Sequence, residues 1–424
     1  ESGLRRDEME SFWTDVYGIM KDSNPEMRFD ARAKNFPHEL IDRAVEMDVP
    51  IRITTKYWME QMGLPYHPTH VHPNNQMDRR RGYADLLRYP KQYDVHWRLW
   101  NAGTTRVLLW GDPDYVRRFS ESTHLYDGQG FEINEMMGTK MQDHPHDLPP
   151  FDLLSPDRIY YDYEFERYWH FYQVWGRVSY NPDTPSDVWS HEFVERFGPD
   201  AGPIIEEALH EASKILPRIV AYNYPYNHFP TTRGWAARQR MGDLPDYAAA
   251  LPSDTEQFQS MADAARRILN NEPSAKIMPW ESSEWFRSRS WTLKELTERA
   301  DELVGDHRNK EFDATIVDLK ILAGLSGYHS ARAHSGVYYA LFQESHDIKD
   351  LSMAIYFEMI AIKSWEEIVQ TAGDHYTDNL MMGRPQSGLA GHWRDELDLL
   401  KKGLDEIIEE AETFDVILGG KERI

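Results

Sequence analysis

Apolar and polar residues alternate in four short runs near the start of the chain, whereas beyond Pro149 apolar residues recur every three or four positions. The alternating runs predict strands over 27–33, 49–55, 95–99 and 131–135, the last reached through Asp127-Gly128-Gln129-Gly130. Helical patterns separate them. Residues 7–21 place Phe12, Val16, Ile19 and Met20 on one side and stop at Asn24-Pro25, and 37–46 turn Leu40, Ile41, Ala44 and Val45 inward. A third helix is expected over 80–88, and a fourth opens at Asp112-Pro113 and runs to about His124, with proline in its first turn. The stretch 104–110 fits either a strand extension or a helical turn. Strand and helix alternating in this way predict a parallel sheet.

The second part reads as helices over 164–177, 186–197, 204–222 (kinked at Pro217), 255–270, 293–304, 311–344 (bent at Gly324 or Gly327), 351–372 and 392–411, with 235–252 irregular. A boundary near Pro149 follows, giving an α/β unit over 1–149 and an all-α unit over 150–424. Four βα units do not close a barrel, and an open sheet of four parallel strands leaves bare edges. Each strand nevertheless ends in large polar or aromatic residues, as do the strands that build the mouth of a (β/α)8 barrel. The expected fold is therefore the C-terminal half of a (β/α)8 TIM-type barrel followed by a helical domain. A missing N-terminal segment or a further polypeptide would supply the other strands.

Composition narrows the chemistry. The 424 residues carry a formal net charge of -24, which argues against a phosphate-binding surface and so against nucleic-acid partners. The chain contains no cysteine, which removes disulfides, thiolate metal sites and Cys nucleophiles. No run of about 18 apolar residues is present, so no membrane partner is expected. Aromatic residues make up 13%, with 14 Trp and 23 Tyr, a content that suits either sugar stacking or a large core. No G-x-S-x-G, phosphate loop or dinucleotide fingerprint occurs, and no cofactor is expected.

The candidate site lies at the strand ends. Glu135 and Glu132 are candidate catalytic carboxylates, because glycoside hydrolysis uses two such groups flanking the scissile bond; Glu60 is a third candidate that could equally open a helix. Arg32, Lys34, Lys56 and Arg98 would converge on one mouth and suit a substrate bearing carboxylates or sulfates. The alternative is that they neutralise the protein's own acidic groups. Tyr57, Trp58, Trp97, Trp100 and Trp110 are possible stacking surfaces, with Trp97 expected to pack outward while His96 and Arg98 point in. His67, His70 and His72 sit on a long loop over 59–79 that Pro68 and Pro73 stiffen, and substrate contact is expected of them; imidazoles at i and i+2 could share a metal ion, but no helix-borne ligand pair accompanies them.

Glu166-Arg167-Tyr168-Trp169 with Tyr172, then Trp175-Gly176-Arg177-Val178-Ser179-Tyr180-Asn181-Pro182, resembles the helix following the catalytic barrel in α-glucuronidases acting on xylan-type glycans and their bacterial relatives. Tyr328-His329-Ser330-Ala331, Ala361-Ile362-Lys363-Ser364-Trp365 and Gly391-His392-Trp393-Arg394-Asp395-Glu396 resemble that family's C-terminal helical domain. The resemblance implies a multidomain glycoside hydrolase whose general acid lies in the first half of the barrel. This chain departs from the pattern in that its third strand ends in Arg98 and Trp100, without a carboxylate. The expected activity is hydrolysis of O-glycosyl bonds, exo-acting on a uronic-acid or sulfated polysaccharide or oligosaccharide, in a periplasmic or extracellular setting. The rival expectation is a non-catalytic glycan-binding or scaffold subunit with a degenerate barrel. A homo-oligomer is compatible with either.

Overall fold

The computed structural model describes residues 4–33, 36–56, 62–66, 92–99, 107–134, 136, 140–141, 144–223, 243–381 and 390–421. Four strands, β1 (Phe29–Arg32), β2 (Ile51–Lys56), β3 (Asp94–Leu99) and β4 (Phe131–Ile133), form one parallel sheet in the order β1-β2-β3-β4. The strands expected from alternation are present, with ends shifted by up to two residues. Helix α1 (Arg6–Ser23) precedes the sheet, α2 (His38–Glu46) joins β1 to β2, and α3 (Pro113–Thr123) precedes β4. The Asp112 carboxylate caps α3, accepting from the Asp114 and Tyr115 amides at 3.0 and 3.2 Å, with Pro113 in the first turn. Residues 107–110 belong to neither strand nor helix. The helix expected over 80–88 lies outside the described residues.

One face of the sheet is apolar. Ala31, Ile51, Ile53, Val95, Trp97 and Leu99 point into it and are buried, in the period of two that a strand imposes. Two clusters of apolar residues lie beneath. Tyr17, Ala31, Ala33, Ile41, Ala44, Val49, Ile51 and Ile53 form the smaller one, under β1 and β2. The larger begins at β3 and continues into the helices, with Tyr93 packed against both. Trp175 joins sheet to helices, its ring centroid lying 5.7 Å from Phe119, 6.0 Å from Phe131 and 5.8 Å from Trp110. Trp110 is thus core, which corrects its candidacy as a sugar-stacking ring.

The helical part comprises α4 (Trp169–Val178), α5 (Asp187–Ala212), α6 (Ile215–Asn223), α7 (Leu244–Ala249), α8 (Met261–Asn270), α9 (Pro279–Leu303), α10 (Lys310–Ser345), α11 (Ile348–Ala372) and α12 (Trp393–Lys421). A 3-10 turn over Glu164–Tyr168 precedes α4. Gly198 breaks α5 with a φ of 84°, just before Pro199. Helix α10 is the buried axis, and it is continuous where a bend at Gly324 or Gly327 was expected. Both glycines serve close approach. A Cβ on Gly324 would lie 2.6 Å from Ile368 Cγ1, and one on Gly327 would lie 3.3 Å from the Ser290 and Ser364 hydroxyls, so α9 and α11 pack directly on the α10 backbone.

Two fully buried ion pairs are anchored on α10. Arg167 Nη2 donates to Asp318 Oδ2 at 2.5 Å and to Tyr376 Oη at 2.7 Å, while Tyr376 donates to the other Asp318 oxygen. The Leu109 amide adds a bond to Asp318 at 2.8 Å, tying the segment after β3 to the central helix. Further along, Arg332 Nε lies 3.3 Å from Glu358 Oε1 on α11, and an Arg332 amino group donates to Tyr328 Oη. Removing one partner from such a pair leaves a buried charge uncompensated.

Candidate active site

The polar face of the sheet is a lattice of charges. Parallel register sets Asp30, Arg52 and Asp94 in one row, Arg32, Thr54 and His96 in the next, and Lys56, Arg98 and Glu132 in the row nearest the strand ends. Arg52 grips Asp30 with two parallel bonds, the Nη2–Oδ2 bond being 2.6 Å. Arg98 Nε lies 2.9 Å from Glu132 Oε1, with the Arg98 and Glu132 side chains 26% and 47% exposed. Between the two ion pairs sits His96, whose pKa is lowered by burial and by the Arg52 guanidinium, against the opposing pull of Glu132 and Asp30. A neutral imidazole accepts a hydrogen bond or a proton at one ring nitrogen while donating from the other, whereas an imidazolium only donates.

Of the expected site residues, the structure brings together Arg98 and Glu132 and puts Arg32 in the adjoining row, exposed at the end of β1. Lys56 ends β2 in register with Arg98, its side chain lying outside the description. Lys34, Tyr57, Trp58, Glu60, His67, His70, His72, Trp100 and Glu135 lie outside the described residues. Trp97 packs on the apolar face, fully buried, while His96 and Arg98 occupy the other face, as their alternation predicts. Asp30, Arg52 and Asp94 were missed as members of this surface. The same alternation would have found them, because each is the polar neighbour of a buried strand residue. Among the described residues no group of three or more His, Asp or Glu side chains is arranged to hold a metal ion.

A charged lattice of this kind can orient polar substrate groups and hold one carboxylate, Glu132, beside a guanidinium. Glycosidic cleavage requires a second carboxylate about 5 to 9.5 Å away, the distance deciding between retention and inversion. Glu135, two residues past the end of β4, is the candidate for it.

The fold is shared with part of an enzyme of known structure. The chain aligns with a GH138 enzyme targeting pectin rhamnogalacturonan II, with a TM-score of 0.77 and 14% sequence identity over 97% of this chain. It spans 61% of that protein's length. No protein-family model and no curated protein matches the chain by sequence. At this identity the likeness establishes architecture.

Proposed function

We propose that the chain is the later part of a glycoside hydrolase acting on an acidic, pectin-like or uronic-acid-bearing glycan. What supports this reading is the coincidence of two things: a fold shared over 97% of this chain with 61% of an enzyme targeting pectin rhamnogalacturonan II, and a sheet face whose outermost row is Lys56, Arg98 and Glu132. In this reading the sheet is the second half of a (β/α)8 barrel, and an N-terminal segment or a further polypeptide closes it over the polar face. Glu132, fixed by Arg98, and Glu135 share acid, base or nucleophile duty, with Glu60 as a further carboxylate near the end of β2. Arg32, Lys34 and Lys56 receive the substrate's acidic groups, while Tyr57, Trp58, Trp100 and the His67, His70 and His72 loop shape the subsite. Exo action, an α-glucuronidase-like specificity and a periplasmic or extracellular location belong to the same proposal.

The test is hydrolysis of pectic and glucuronoxylan oligosaccharides by the complete polypeptide, followed by E132Q and E135Q. A loss of 100-fold or more in kcat from at least one variant is expected, in line with roughly 10²–10⁴-fold for a general acid or base. Unchanged turnover in both would sink the assignment. The Arg98–Glu132 ion pair also favours a second reading, a glycan-binding subunit in which that carboxylate only balances charge; binding of the same oligosaccharides without cleavage would decide for it.

A further inference from the structure

A second concave surface lies in the helical part, and none of its lining residues comes from the sheet. Tyr160 and Tyr161, Phe165 and Glu166 of the 3-10 turn, Trp169 and Tyr172 of α4, Arg196 of α5 and Glu311 of α10 enclose a cleft of about 650 Å³. Ligand clefts for small molecules fall in this range, at roughly 300–1,000 Å³.

Its polar floor is locked. Arg196 Nη1 donates to both Glu311 carboxylate oxygens at 3.0 Å, and Trp169 Nε1 donates to Glu311 Oε1 at 3.2 Å. The Arg196 guanidinium lies 4.7 Å from the Trp169 ring centroid, so cation, indole and carboxylate fix one another. Glu166 is held by the Asp162 and Tyr163 amides at 3.0 and 3.2 Å. The rim contrasts with this floor: Phe165 is 57% exposed and Tyr172 38% exposed, and Tyr163 stacks on Phe165 with centroids 5.9 Å apart. Large aromatic faces held in water beside fixed polar groups mark a binding surface.

The charge of the cleft decides its ligand. Among the lining residues Glu166 and Glu311 outnumber the single guanidinium of Arg196, and that guanidinium is already committed to Glu311 and, 3.4 Å from its Nε, to Glu192; a uronate or sulfate would meet net repulsion. A neutral pyranose ring instead offers C–H faces to Phe165 and Tyr172 and hydroxyl donors to the carboxylates. We propose that this cleft is an ancillary subsite for neutral sugar residues of a glycan, separate from the strand-end site. It does not depend on the catalytic reading above, because it can bind whether or not Glu132 or Glu135 acts in catalysis.

The experiment is calorimetric titration of the complete polypeptide with galactan- and xylan-derived tetrasaccharides, and with tetragalacturonate as the charged counterpart, each sugar being recovered afterwards and checked for intact length. Binding of a neutral tetrasaccharide is expected. Y172A and F165A, both at exposed positions, should each weaken it by roughly tenfold, the equivalent of ~1.4 kcal/mol for a lost stacking contact. Turnover of a short soluble substrate by Y172A and F165A in the otherwise wild-type protein should stay within about twofold. Three results overturn the proposal: no neutral tetrasaccharide binds at millimolar concentration, both variants bind as tightly as the parent, or tetragalacturonate alone shows binding that these variants weaken.

Discussion

His329 provides a direct measure of how the buried polar chemistry around α10 contributes to stability. It is fully buried, its Nδ1 lies 3.0 Å from Tyr247 Oη, and Phe286 sits 5.7 Å from its ring centroid. Burial, reinforced by the Arg332 guanidinium, lowers its pKa to about 3. The folded imidazole therefore stays neutral far into the acid range, while the unfolded one takes up a proton below about 6.5. A depressed folded pKa means that the stability associated with His329 is fully present above the unfolded pKa and is lost as pH falls from there towards 3. At pH 5 protonation favours the unfolded chain by RT ln(1 + 10^1.5), about 2 kcal/mol, with almost nothing gained by the folded state. Acidification also acts through other groups. Asp112, raised to about 6 mainly by burial, shifts stability in the opposite direction over part of the range, so the wild-type curve alone is not diagnostic. The difference between wild type and H329Q isolates the imidazole, since glutamine does not titrate and keeps a polar group facing Tyr247. Urea unfolding at pH 7 and pH 5 should show this difference shrinking by about 2 kcal/mol in favour of the variant. A difference that stays constant between the two pH values would refute the argument.

Two other perturbations probe the same axis. D318N leaves Arg167 buried with a weakened partner and should destabilise by roughly 3–5 kcal/mol, read as a drop in the urea midpoint with the m-value unchanged. G324A separates two roles for that glycine: the close approach of Ile368 predicts a loss of about 1–3 kcal/mol through overpacking, whereas a purely conformational glycine in a helix would give a gain of up to about 1 kcal/mol in the same assay.

The sequence made some of this legible and hid the rest for identifiable reasons. His96-Trp97-Arg98 alternates so cleanly that the outward Trp97 and the polar face could be read directly, and Asp112-Pro113 announced its helix through a cap and a first-turn proline. Helix α9, by contrast, begins at Pro279, well before the 293 that its apolar period suggested. Its early turns bury Ser282, Ser283 and Ser290, whose small side chains allow close packing but give no hydrophobic signal. The expected 255–270 helix starts only at Met261, where Ser260 caps it by accepting from the Asp263 amide at 3.1 Å. Gly324 read only as a place for a bend because sequence does not show what lies opposite; the facing Ile368 is 44 positions away. For the site, alternation located Arg98 and Glu132 on one face but could not give their 2.9 Å pairing, which depends on the register between strands. The aromatic cleft was missed because its walls come from three separate stretches, although the crowding of Tyr160, Tyr161, Phe165, Trp169 and Tyr172 was a visible signal.

The division between the two apolar clusters carries through to the polar face. β1 and β2, with α1 and α2, rest on their own small cluster, while β3 and β4 are fastened to the helices, and the line between β2 and β3 is spanned by backbone hydrogen bonds, by Tyr93 and by the 3.0 Å bond from Arg28 to Gln129. Each ion pair of the polar face lies over one cluster, Arg52 with Asp30 above the smaller and Arg98 with Glu132 above the larger. The two halves of the charged surface are thus carried on separate cores, and His96, which feels Arg52 and Asp30 on one side and Glu132 on the other, is where they meet across the β2–β3 pairing.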